Sequence, residues 1–140
     1  MKVEFRRIVC ATDLSDLSNQ AVHYGVSLAS RFEAELILCH VIDLPVVSVH
    51  GAAYVYPHDY VEGLKEEAQQ KLSDLMKGSN IRFEPVVMAG PVASTLCSLA
   101  GAEKADLVLF MAGNQFMAMK EIVAEFKTQH PEVKNIFYET

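Results

Sequence analysis

The 140-residue chain is 51% hydrophobic and 21% charged, with a net charge of −6, a composition that folds as a globule rather than staying disordered. At that length one domain, residues 1–140, buries roughly 68–70% of its unfolded surface. The acidic balance excludes a nucleic-acid binder, which needs a basic face to neutralise phosphates, and Arg6-Arg7 is the one adjacent basic pair.

Ile8 to Ala11 is a short apolar run with β-branched residues, read as a buried parallel strand. It ends in Thr12-Asp13, and Ser15, Asp16 or Ser18 is available to cap the helix that follows. From Ser18 to Phe32 the positions Ala21, Gly25, Leu28, Ala29 and Phe32 share one helical face. Leu36 to Ile42 is a second continuous apolar run and a second buried strand, with His40 expected to make a buried hydrogen bond inside it.

Residues 43–59 break this pattern. Pro45, Gly51 and Pro57 punctuate them, and they carry Tyr54, Tyr56, His50 and His58. A connection of that length is usually functional or mobile. His50, His58 and Asp59 fit no recognised metal-site spacing, so no metal is expected. Helical spacing returns from Tyr60 to Met76 through Leu64, Ala68, Leu72 and Leu75, with Gly78 placed to end it. Ile81 to Met88 reads as a third strand, and the alternation of Arg82 and Glu84 with Ile81 and Phe83 suits a sheet edge. Gly90-Pro91 opens the next helix, whose stripe is Val92, Leu96, Leu99 and Ala100. Asp106 leads into the strand Leu107 to Met111, and a helix from about Gln115 to Gln129 is stopped by Pro131. Asn135 to Tyr138 is the final strand.

The order βαβαβαβαβ implies an α/β fold, an open five-stranded parallel sheet with helices on both faces. Right-handed crossovers force one reversal across such a sheet, and ligands bind there, outside the carboxyl ends of the strands. The strand ends Thr12-Asp13, Val41 to Asp43, Met88 to Gly90 and Ala112-Gly113-Asn114 are therefore the candidates, and of these Thr12, Asp13, Val41, Gly90, Gly113 and Asn114 are assigned to binding. Asp13 either caps the first helix or accepts hydrogen bonds from a ribose or adenine. A single carboxylate with no base, metal partner or second acid is a poor constellation for phosphoryl chemistry, so no catalytic residue is assigned. The first turn, Thr12-Asp13-Leu14, also lacks the G-x-G-x-x-G of a dinucleotide enzyme. Cys10, Cys39 and Cys97 are odd in number and scattered, which suits a reducing compartment. With a charged start, Met1 to Arg6, and no apolar run near ~18 residues, neither a secretory leader nor a membrane span is expected, and the placement read is cytoplasmic.

Several of these segments resemble the universal stress protein family. The strand Ile8 to Asp13 followed by Ser15 is similar to that family's opening, and Leu28-Ala29 sits where its first helix closes. Leu36 to Val41, Gly90-Pro91 and Ala105-Asp106-Leu107-Val108 match in order, so the resemblance covers roughly residues 5–114. It implies a Rossmann-like strand order 3-2-1-4-5, with the reversal between the first and fourth strands. It also implies a cleft in which Asp13, Val41, Gly90 and Gly113 correspond to positions that hold ATP or AMP in binding members. The family's phosphate loop, Gly-x2-Gly-x9-Gly-Ser/Thr, is not matched: Phe116 stands three residues after Gly113, and Phe126-Lys127 stand where its last glycine and hydroxyl belong. Glycine matters there because backbone must approach phosphate closely, and a ring fills that room. The leading reading is a stress-response protein acting by binding, a dimeric module with weak or no ATP binding. The alternative is an adenine-nucleotide binder using the cleft at the first and fourth strands, and a small α/β hydrolase or transferase stands behind both. The family pairs subunits through the fifth strand, so a homodimer through Ile136 and Tyr138 is expected.

Overall fold

The computed structural model describes residues 2–110 and 116–132, with 116–120 described by backbone alone. Gly113, Asn114 and the expected strand Asn135 to Tyr138 lie outside these residues. The elements run β1 (Arg7–Ala11), α1 (Asp16–Phe32), β2 (Glu35–Ile42), β3 (Ser48–Val49), β4 (Ala52–Ala53), α2 (His58–Leu75), β5 (Phe83–Ala89), α3 (Val92–Ala102), β6 (Leu107–Phe110) and α4 (Phe116–Gln129).

The main sheet is parallel throughout, in the order β5-β2-β1-β6. Counted along the chain, that is the 3-2-1-4 part of the expected order. Among the described residues β5 is an edge strand, as the exposed Arg82 and Glu84 anticipate.

Side chains alternate across a strand, and the two central strands feed two separate cores. Ile8, Cys10, Leu36 and Leu38 point to the layer that holds Ala21, Val22 and Ala29 of α1 and Leu72 of α2. Val9, Ile37 and Cys39 point the other way, onto Leu96 and Leu99 of α3. Burial on both sides explains why β1 and β2 read as unbroken apolar runs. Gly25 lets α1 lie close to the sheet: a Cβ there would stand 3.3 Å from Leu36 Cδ1 and 3.4 Å from Cys10 Cβ. α4 packs on α3, where Ile122 is buried and its carbonyl oxygen lies 3.9 Å from Cys97 Sγ.

The amino ends of the strands are tied together by polar groups. Arg7 donates to the Glu35 carboxylate at 3.0 Å and to the Glu103 carbonyl at 2.9 Å. The Asp106 carboxylate accepts the backbone N–H groups of Arg6 and Arg7 at 2.7 and 3.0 Å. That end is closed, which leaves the carboxyl ends as the place for a ligand.

The connection 43–57 contains more order than its sequence announces. β3 and β4 form an antiparallel hairpin in which Val49 pairs with Ala52 and Ser48 with Ala53. Its two-residue turn, His50-Gly51, has φ of 51° and 81°, the positive values at both positions that a type I′ turn requires.

Candidate functional site

β1 and β6 are neighbours, whereas the chain leaves β1 towards β2 and returns through α3 to β6. The reversal therefore lies between β1 and β6, and the segment after β1 forms one wall of the crevice that such a reversal creates.

The first residue of that segment, Thr12, is committed to structure. Its N–H donates to the Cys39 carbonyl at 2.9 Å, and its own carbonyl accepts from His40 Nδ1 at 2.8 Å. Because a carbonyl can only accept, His40 carries its proton on Nδ1 in this pairing. The half-buried His40 thus makes the hydrogen bond expected of it, and it fastens the end of β1 to β2. Thr12 Oγ1 is 2.7 Å from Ser18 Oγ and 3.0 Å from Asn19 Oδ1, and it accepts the Leu14 N–H at 3.0 Å. The side chain is buried, and its hydroxyl already has three hydrogen-bond partners.

Asp13 is different. Its Oδ1 accepts the Ser15 N–H at 2.9 Å, closing an Asx turn, and the Ser18 hydroxyl at 2.5 Å. The helix cap itself is Ser15, whose Oγ accepts the Ser18 N–H at 3.2 Å. The carboxylate therefore braces the cap rather than being it, and Oδ2 has no hydrogen-bond partner among the described residues. Burial acts to raise the Asp13 carboxyl, but the hydrogen bonds from Ser15 and Ser18 outweigh it and hold the group below the ordinary carboxylate value. Between these two residues Leu14 sits at φ 67°, a left-handed conformation that costs a non-glycine residue about 1–2 kcal/mol. Leu14 packs against the α1 core, which offsets that strain. The outcome is a preset, ionised acceptor at the mouth of the crevice.

The other candidates divide. Val41, on β2 beside β1, is half-buried on the α3 side of the sheet, together with Ala11. Gly90 follows β5, two strands away from β1, and donates its N–H to the Ile42 carbonyl at 3.0 Å. Its φ of +147°, and the Thr95 Oγ1 that a Cβ would meet at 2.9 Å, explain the glycine by the turn into α3. Gly113 and Asn114 lie outside the described residues.

A cavity of about 410 Å³ opens beside this region, lined by Asp43, residues 91–94, Glu121 and Glu125. It includes none of Thr12, Asp13 and Val41. Three carboxylates on its walls make it a poor seat for phosphate, whatever the dipole at the start of α3 offers. Among the described residues no three His, Cys, Asp or Glu side chains converge as a metal cluster.

Comparison with known proteins fixes the family. The model of the universal stress protein family matches residues 4–115. The chain belongs to the universal stress protein family. A curated universal stress protein of Methanocaldococcus jannaschii is 29% identical over 111 residues, covering 75% of this chain and 63% of the relative. The chain thus spans less than two thirds of that relative's length. A solved universal stress protein in complex with cAMP aligns with TM-score 0.56 at 21% identity, covering 90% of each chain. A universal stress protein family member from Arabidopsis thaliana with AMP bound aligns with TM-score 0.52 at 16% identity, covering 92% of this chain and 88% of that one. At those identities the structures share the fold with this universal stress protein.

Proposed function

We propose that this universal stress protein works by binding rather than turnover, taking the adenosine part of a small nucleotide in the crevice beside Asp13 and binding ATP weakly or not at all. One observation carries the reading. Asp13 is pinned through Oδ1 by Ser15 and Ser18, which presents Oδ2 of an ionised carboxylate without rearrangement. A pair of ribose hydroxyls or an adenine amine is the natural donor for such an oxygen. The fold relatives solved with cAMP and AMP support the same class of ligand. Phe116 and Phe126, standing where the family's phosphate loop has glycine, argue against a triphosphate. Cytoplasmic placement, which three free buried cysteines support, belongs to the same proposal. So does a homodimer through the segment that contains Ile136 and Tyr138.

Calorimetric titration with AMP, cAMP and ATP tests the ligand class. AMP or cAMP should bind at least as tightly as ATP. ATP binding tighter than micromolar, with AMP silent, would sink the proposal.

A further inference from the structure

The hairpin β3–β4 is the part of the chain that the cleft leaves unexplained. Its ladder extends one pair beyond the strands, because the Tyr54 N–H donates to the Val47 carbonyl at 2.7 Å. The base is anchored: Tyr56 donates to the Pro45 carbonyl at 3.0 Å, meets the Tyr54 ring edge-on at 5.2 Å, and stacks on Tyr60 of α2 at 6.1 Å. Beyond that base it stands away from both cores. Val46 is 87% exposed and Val55 83%, and Val47, Val49 and Tyr54 are exposed as well.

Two physical facts set this element apart. An isolated two-stranded hairpin is at best marginal in water and needs further strands or an apolar cover. The pairing leaves groups to recruit them. With residues 47 and 54 hydrogen-bonded to each other, the N–H and carbonyl groups of Ser48 and Ala53 point outward, along the hairpin's open edges. Charge is the second fact. Leu44 to Pro57 contains no Asp, Glu, Lys or Arg, so the edge has none of the charged side chains that normally block strand addition.

We propose that this hairpin is a self-association surface, at which a second copy of the chain adds its own hairpin edge to edge across a two-fold axis. Two copies of a chain of net charge −6 repel each other, and a 14-residue stretch free of formal charge is a place where they meet with no like charges in direct contact. Edge pairing is also self-complementary, since the same outward groups serve on both sides. A neutral, apolar strand edge carries no acidic or basic pattern that would select a foreign partner. Fourteen residues a side is less than the 20–30 of a standard interface, so the contact is a weak, concentration-dependent one.

Sedimentation velocity on the full chain, from about 5 µM to 1 mM, reads this directly. The average mass should rise about twofold across that range. Val46→Lys/Val55→Lys, which places charge on the two most exposed valines, should abolish the rise and leave the circular dichroism spectrum unchanged. Ala53→Pro should weaken association on its own, because it removes an outward N–H that the hairpin's own ladder does not use. A mass independent of concentration would overturn the proposal. So would a rise in both variants as large as in the wild type.

Discussion

Ser18→Ala probes the wall that presents Asp13. Ser18 is fully buried, and its hydroxyl donates to Asp13 Oδ1 while lying 2.7 Å from Thr12 Oγ1 and 3.1 Å from Ser15 Oγ. Thr12 keeps Asn19 and the Leu14 N–H after the substitution, and Asp13 keeps the Ser15 N–H. The loss that matters is one hydrogen bond to an ionised carboxylate, about 1.5–3 kcal/mol, less about 0.5 kcal/mol for the better helix propensity of alanine. A net loss of about 2 kcal/mol follows, or about 4–8 °C in Tm at ~2–4 °C per kcal/mol. The effect depends on pH with a definite sign. The folded-state pKa of Asp13 is depressed, so its contribution is complete above the unfolded value of 3.8 and is lost as the pH falls through the lower folded value. Urea unfolding followed by circular dichroism should therefore show a wild-type advantage that is constant from pH 7 to about 5 and narrows at lower pH. A loss under about 0.5 kcal/mol, or one unchanged down to pH 2.5, would refute this account of how Asp13 is held.

Three further outcomes follow from the packing. Ile37→Ala empties a fully buried site in the α3 core and should destabilise by about 2–5 kcal/mol in urea unfolding. Gly90→Val forces a β-branched residue to φ +147° against Thr95 and should cost about 2 kcal/mol or more by the same assay, with the far-UV spectrum retained. Burial pushes the Cys10 and Cys39 thiols up to about 12, so neither should react with a thiol reagent at pH 8 in the native state. Prompt labelling of either residue would contradict the two-core packing.

The elements of the main sheet were legible because burial on two faces leaves an unmistakable mark. β1 and β2 are continuous apolar runs, and the exposed Arg82 and Glu84 marked β5 as an edge. The hairpin was not legible. With Val46 and Val55 on one side and Val47 and Val49 on the other, neither face is polar, so no period-two alternation shows. The one available signal was His50-Gly51, a turn pair weaker than the Asn-Gly or Asp-Gly that usually announces a type I′ turn.

At the site, the strand ends pointed to Thr12, Asp13, Val41, Gly90, Gly113 and Asn114. The sheet order puts β1 beside β2, while Gly90 follows β5, two strands from β1, and Gly113 and Asn114 lie outside the described residues. What each side chain does there depends on distances a sequence does not hold. Thr12 and Asp13 look alike as polar residues at a strand end, yet the hydroxyl is consumed by Ser18, Asn19 and Leu14 while, among the described residues, only one carboxylate oxygen is engaged. The choice of Ser15 over Asp13 as the helix cap is of the same kind, set by a bend at Leu14 that nothing in its letter announces. Glu121 and Glu125 stand in no motif of the last helix, and only the packing of α4 on α3 brings them to a cavity with Asp43.

The proposed role of Asp13 is tested most directly by titrating AMP into the wild type and into Asp13→Asn. The asparagine side-chain oxygen can still accept from Ser15 and Ser18, so the turn is retained and the negative charge alone is lost. A charge-assisted hydrogen bond of about 1.5–3 kcal/mol corresponds to a roughly tenfold to hundredfold weaker Kd. The account predicts that loss, together with a folded variant. Equal affinity in the two proteins would contradict it.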